Sequence, residues 1–235
     1  MAGFLRFLAL FVALVAFLVL VVLPLAASPI LTQMVREMGL RSDSLNVSVA
    51  LFDPTLLLGR SRRLHISATN VNLSPAAIGT LELTFGDVLL FDRSWRTVDG
   101  QITNISLTSG NETIGIGSVR VVGPANAANA TARMTAAESE ALIRFAAERV
   151  GLALDRVEVR NDGVRVTVDG VEAVARLEVR GGALVLFPGT GDGGVPLLQS
   201  APSDAWQLEE AWISDDGLNV RGVVDTTRLA EQVTS

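Results

Sequence analysis

The sequence predicts an α+β protein: a curved antiparallel β-sheet packed against one helix, preceded by one N-terminal transmembrane helix. Three observations carry that reading. Phe7 to Ala27 is an apolar run without a charge. From Leu45 onward the apolar residues recur mostly at every second position, with Asx-Gly and Gly-Gly pairs between the runs. One capping box, Thr135-Ala136-Ala137-Glu138, announces a helix in the middle of the strands.

The apolar run is long enough to span a bilayer, which takes about 20 residues, whereas a cleavable signal has a shorter core. Cleavage after Ala27 would put Leu25 where a small residue is preferred, and cleavage after Ser28 would leave Pro29 directly after the cut. An uncleaved signal anchor over residues 1–28 is therefore expected, with Arg6 on the inner side and the rest of the chain outside. Ile30, Leu31, Met34, Val35 and Met38 then recur at helical spacing, so residues 29–42 read as an amphipathic helix or linker. Residues 43–235 form the remaining, β-rich domain.

Within that domain Leu45, Val47, Val49 and Leu51 alternate as on a strand with one buried face. Further strands are expected at 64–68, 79–85, 88–91, 102–107 and 114–122. Pro124 to Arg133 reads as a connecting loop. Thr135 and Glu138 cap a helix whose stripe is Ala141, Leu142, Phe145, Ala146 and Val150, ended by Gly151. After it, Asn161-Asp162-Gly163, Asp169-Gly170 and Gly181-Gly182 supply the positive φ angles of tight hairpins. Gly189 to Asp204 reads as a second loop, and Asp215-Asp216-Gly217 joins a last hairpin. A sheet wrapped around the helix leaves a cleft lined with Val, Leu, Ile and Phe, either packed or open to a ligand.

Composition narrows the chemistry. The 235 residues carry a net charge of −6 and no cysteine. All 19 basic residues are arginine, a lysine depletion that fits a GC-rich bacterial genome. With no long basic stretch, nucleic acid is not an expected partner. Without cysteine there is no disulfide, thiol nucleophile or thiolate metal site. His65, the only histidine, sits in a strand-like run with no G-x-S-x-G elbow anywhere, which gives it a structural or solvent-facing role. Gly189 to Gly194 formally matches G-x-G-x-x-G, but no helix opens after it, so a surface loop is the better account. Asp215-Asp216-Gly217 lacks the spaced carboxylates of a calcium loop. No catalytic residue, metal site or cofactor is expected. The Asn-x-Ser/Thr triplets, as at Asn46 and Asn72, fit chance in a bacterial chain.

One segment stands apart. Leu56, Leu57 and Leu58 run directly into Gly59 and the basic cluster Arg60, Arg62 and Arg63. The bland reading is core leucines followed by a solvated strand entrance. The sharper one is an apolar lip beside phosphate-binding arginines, whose planar forks match a headgroup.

The order Pro54-Thr55-Leu56-Leu57-Leu58-Gly59-Arg60, then Leu64-His65-Ile66-Ser67-Ala68, then Gly182 to Pro188 and Asp216 to Asp225 resembles the LmeA-like phospholipid-binding family of bacterial envelope proteins. Where that family often carries Pro-Phe-Leu, this chain has Phe52-Asp53-Pro54. The resemblance implies a tubular lipid-binding fold, with a long curved antiparallel sheet around a helix. It also implies phospholipid or glycolipid binding on the extracytoplasmic side of the plasma membrane, without catalysis, in envelope lipid maintenance or transfer. On that reading Leu56, Leu57, Leu58, Leu142, Phe145 and Phe187 contact lipid, and Arg60, Arg62 and Arg63 meet the headgroup. The alternative expectation is an envelope interaction module with a fully packed core that recruits a protein partner by strand addition.

Overall fold

The computed structural model describes residues 42–50, 53–73, 76–92, 94–109, 112–188 and 193–229. The expected anchor and amphipathic helix lie outside the described residues. Among the described residues no helix is long and apolar enough to cross a membrane.

The chain is α+β, as the alternation predicts, and mostly antiparallel sheet. β1 (Ser44–Val49), β2 (Arg60–Leu73), β3 (Ala76–Leu89), β4 (Thr97–Ser109), β5 (Glu112–Pro124) and β6 (Ala128–Met134) form a meander. Helix α1 (Ala136–Arg149) follows. Then come β7 (Arg156–Arg160), β8 (Gly163–Val168), β9 (Val171–Arg180), β10 (Ala183–Pro188) and β11 (Val195–Gln199). β12 (Trp206–Ser214) and β13 (Gly217–Val224) follow, and residues 226–229 form a helical turn after them. The strands fall into two sheets. The larger has the order β1-β2-β3-β4-β5-β6-β13-β12, the smaller β11-β10-β9-β8-β7.

Three expectations are revised. Residues 124–133, read as a loop from their alanine and asparagine content, hold most of β6. Its backbone pairs with β5 on one side and β13 on the other, so the ladder decides and weak strand propensity does not. The two strands expected at 79–85 and 88–91 are one, β3. Part of the expected loop 189–204 is β11, paired with β10. The strands after α1 also form a sheet of their own before the last hairpin returns to the first.

Helix α1 is placed as its capping box dictates. Thr135 Oγ1 accepts from the Glu138 amide, and Glu138 Oε2 accepts from the Thr135 amide at 2.7 Å. The helix lies between the sheets. Leu142, Ile143 and Ala146 meet Met134, Leu218 and Val220 from the large sheet and Val157, Val164 and Val166 from the small one. Polar links tie the layers: the Val159 amide of β7 donates to Glu140 Oε1 at 3.3 Å, and a buried serine joins the helix to β13. Ser139 Oγ donates to Thr135 O at 2.7 Å and accepts from the Leu218 amide at 3.3 Å. Gly217, just before, has φ 126°, and a Cβ there would lie 2.2 Å from Met134 O. No side chain fits where β13 crosses the helix start.

The large sheet has a feature that alternation alone does not express. Pairing skips Asn70 opposite Gly79, Gly79 opposite Asn104, and Asn104 opposite Gly117. Each of four neighbouring strands thus holds one extra residue on the same transverse line. Asn70 and Asn104 adopt left-handed φ angles of 50° and 53°, which asparagine tolerates better than most residues. An extra residue bends a strand and raises its twist. Because all four strands carry one, register is kept on both sides and the apolar residues stay on one face.

The outer surface absorbs many of the arginines. Glu158 is bracketed by Arg156 and Arg160, and Glu178 by Arg176 and Arg180. Such exposed pairs contribute little stability.

Removing the Ser139 hydroxyl leaves the Leu218 amide without a partner in a dry interface. Ser139→Ala is therefore expected to cost about 1–3 kcal/mol. The check is a urea midpoint shift at unchanged m-value.

Candidate functional site

Helix α1 covers only part of the apolar face of the large sheet. Its packing falls on β5, β6 and β13, and on β7 and β11 opposite. The same face continues across β1–β4. There Leu45, Val47, Ala68, Val71 and Leu81 are buried, while Leu64, Ile66, Leu83 and Ile102 keep part of their surface. A third patch around Val98, Val121 and Phe85 extends the lining along the strands. Together these patches form an apolar cradle beside the helix-packed core.

At one end of β2–β4 lies a tip. Asp53 caps a short 3-10 helix (Pro54–Leu58), with Oδ1 accepting from the Thr55 amide at 3.1 Å and the Thr55 hydroxyl at 2.6 Å. Its Oδ2 accepts from the Arg62 amide at 2.8 Å, clasping the turn onto β2. Gly59 ends the turn with φ 68°, and a Cβ on it would sit 2.0 Å from the Phe91 ring. Leu56 is buried, Leu58 is 73% exposed and Phe91 is 83% exposed. The Leu57 side chain lies outside the described residues. Arg60, Arg62 and Arg63 are exposed, and none forms an ion pair among the described residues.

Arg62 and Arg63 also line an open basin of about 700 Å³ with Thr84, Asp87 and Asp99. The basin lies on the polar face of the sheet, opposite the cradle. The rows Arg63–Gly86–Thr97–Pro124 and Thr84–Asp99–Val122 alternate with the inward Phe85 and Val98. Asp99 is engaged by Arg120 at 2.6 Å.

The residues expected to share one lipid site occupy three places. Leu142 and Phe145 belong to the helix core, with Arg149 over the Phe145 ring at 5.6 Å. Phe187 is buried in β10 under Arg180, 4.4 Å from its ring centre. Leu56 to Arg63 form the tip. What sequence reading missed is the cradle residues Leu64, Ile66, Leu83 and Ile102, and Phe91. Alternation shows the apolar face of the cradle but not that α1 stops short of it; Phe91, which alternation puts at a strand end, is a turn residue.

His65 is half-buried in β2, and its Nδ1 lies 3.1 Å from Thr84 Oγ1, which makes it a cross-strand partner of a hydroxyl. Among the described residues no group of histidine, aspartate and glutamate is placed to hold a metal ion. Of the expected glycine loop, residues 189–192 lie outside the described residues. No family model, curated protein or solved structure matches the chain.

Burial by itself would raise the Asp53 pKa. The Arg62 amide, the hydroxyl and amide of Thr55 and the nearby Arg62 charge outweigh it, and the carboxyl sits below its ordinary value. A depressed native pKa stabilises the fold at pH above the unfolded value, and that contribution fades as pH falls through the native one. Asp53→Ala should therefore cost about 1–2 kcal/mol at neutral pH, as loss of a cap does. Below about pH 4 the difference from the parent should shrink. Urea denaturation of both chains across pH 3 to 7, converging at the acid end, is the check.

Proposed function

We propose that this chain is a membrane-anchored, extracytoplasmic lipid-binding protein of the tubular type, similar in design to the LmeA-like family and acting in cell-envelope lipid maintenance or transfer without catalysis. The observation that carries the reading is the apolar face that runs past the end of α1 and keeps Leu64, Ile66, Leu83 and Ile102 only partly covered. An acyl chain laid there exchanges water for hydrocarbon on both sides. Burial contributes about 0.8 kcal/mol per methylene, so phospholipid or glycolipid tails can bind with few polar contacts. The apolar run at 7–27 supports residence at the plasma membrane, with the β-rich domain outside. The scarcity of acid–base groups along the cradle supports binding rather than turnover.

Native mass spectrometry of the full chain, extracted gently from a bacterial membrane, tests this. One or two phospholipid masses, removed by organic solvent, are expected. A bare protein mass that gains nothing from liposomes overturns the reading and favours the packed interaction module. A tryptophan at Leu83 fills cradle volume. Excluding two methylenes costs about 1.6 kcal/mol, so Leu83→Trp should weaken lipid retention roughly tenfold.

A further inference from the structure

The most exposed large apolar side chains among the described residues are Phe91 and Leu58. Single exposed hydrophobics are ordinary on a protein surface. These two are neighbours. The Phe91 ring rests on Gly59, the residue after Leu58, and the Leu90 amide donates to Gly59 O at 2.8 Å. Arg60 follows immediately, Arg62 and Arg63 come next along β2, and exposed Arg96, whose amide donates to Gly86 O at 3.0 Å, lies at the same end of the sheet. The acidic groups at this end are Asp53, Asp87, Asp92 and Asp99, the last of them paired with Arg120. Asp53 is buried and committed to Thr55 and Arg62, while Asp87 and Asp92 are exposed.

This local excess of cations stands out on a chain whose net charge is −6. Elsewhere most arginines on the sheet surfaces stand beside glutamates and aspartates. Exposed Val171 and Val174 on β9, by contrast, have Glu172 between them and no arginine cluster. The tip is also firmly braced. Trp95 packs on Phe85 at 4.8 Å and donates through Nε1 to Thr226 Oγ1 at 2.9 Å, which in turn donates to Ala125 O. Two apolar side chains are thus held outward on ordered backbone, with arginines around their base.

We propose that this tip is a membrane-docking element: Leu58 and Phe91 enter the headgroup region of an anionic bilayer while Arg60, Arg62 and Arg63 meet lipid phosphates. An apolar wedge with a cationic collar matches a surface that is hydrocarbon below and negatively charged above. The proposal goes beyond lipid binding in the cradle. It stands on different residues, so either reading can fail alone.

The absence of cysteine gives a clean test. Phe91→Cys in the full chain is labelled with an environment-sensitive fluorophore and reconstituted into vesicles containing brominated lipid. The parallel Val174→Cys protein is the control. In phosphatidylcholine–phosphatidylglycerol vesicles the label at 91 is expected to shift to the blue and be quenched, while the label at 174 is not. Each arginine at an anionic surface strengthens docking about fivefold, so Arg60→Gln, Arg62→Gln and Arg63→Gln together should weaken it on the order of a hundredfold. High salt should act in the same direction. Equal quenching at 91 and 174, or none at 91 with anionic lipid, overturns the proposal. Quenching at 91 that is the same in pure phosphatidylcholine overturns the arginine role. Lipid co-purifying in the mass spectrum has no bearing on any of these outcomes.

Discussion

Among the described residues one fourteen-residue helix, α1, packs on the apolar face of an eight-stranded sheet, and it is too short to reach across all of it. At 1.5 Å per residue α1 spans about 21 Å, while seven interstrand gaps of about 4.8 Å make the sheet some 34 Å across. The small sheet doubles the cover where the helix lies, producing a dry core around Ile143, Leu184 and Leu218. Beyond the helix the same lining runs on across β1–β4, where α1 does not reach and Leu64, Ile66, Leu83 and Ile102 stay only partly buried. The helix-packed core and the lining beyond it are two parts of one apolar face, and the division between them falls near β5.

Within the core the layers are held in register by few polar groups. Ser139 and the backbone contact at Gly217 fix where β13 meets the helix start, Glu140 accepts from the Val159 amide on β7, and most of the rest is non-directional packing. That explains why a chain with 49% hydrophobic residues still specifies one arrangement: the capping box sets the helix, and a buried hydroxyl sets its partner.

Much of this was legible in the sequence. The capping box placed α1, and the Asx-Gly and Gly-Gly pairs placed the hairpins of β7–β10 and β12–β13, because those signals are local. The split into two sheets was not legible, since whether β7 pairs with β6 is decided by which ladder wins, a non-local competition. β6 was missed because alanine and asparagine in Ala128–Met134 carry little strand preference of their own. The tip was half read. Leu58 and the arginines were singled out from their order, but Phe91 joins them only through the β2–β3 pairing, which brings residues 59 and 90 together. The bend of the large sheet had a signal that went unused. The apolar spacing lengthens from two to three at Ala68/Val71, Ile78/Leu81, Ile102/Ile105 and Ile116/Val119.

That matched lengthening makes four strands behave as one inherited unit. A residue lost from β3 alone, at Gly79, would turn every side chain on one side of the line to the wrong face, and β2 and β4 would have no compensating partner. The same loss made in all four strands would leave the pairing intact and straighten the sheet. Variation along this line is therefore constrained to arrive together or not at all, and the curvature of the cradle is a property that no single strand owns.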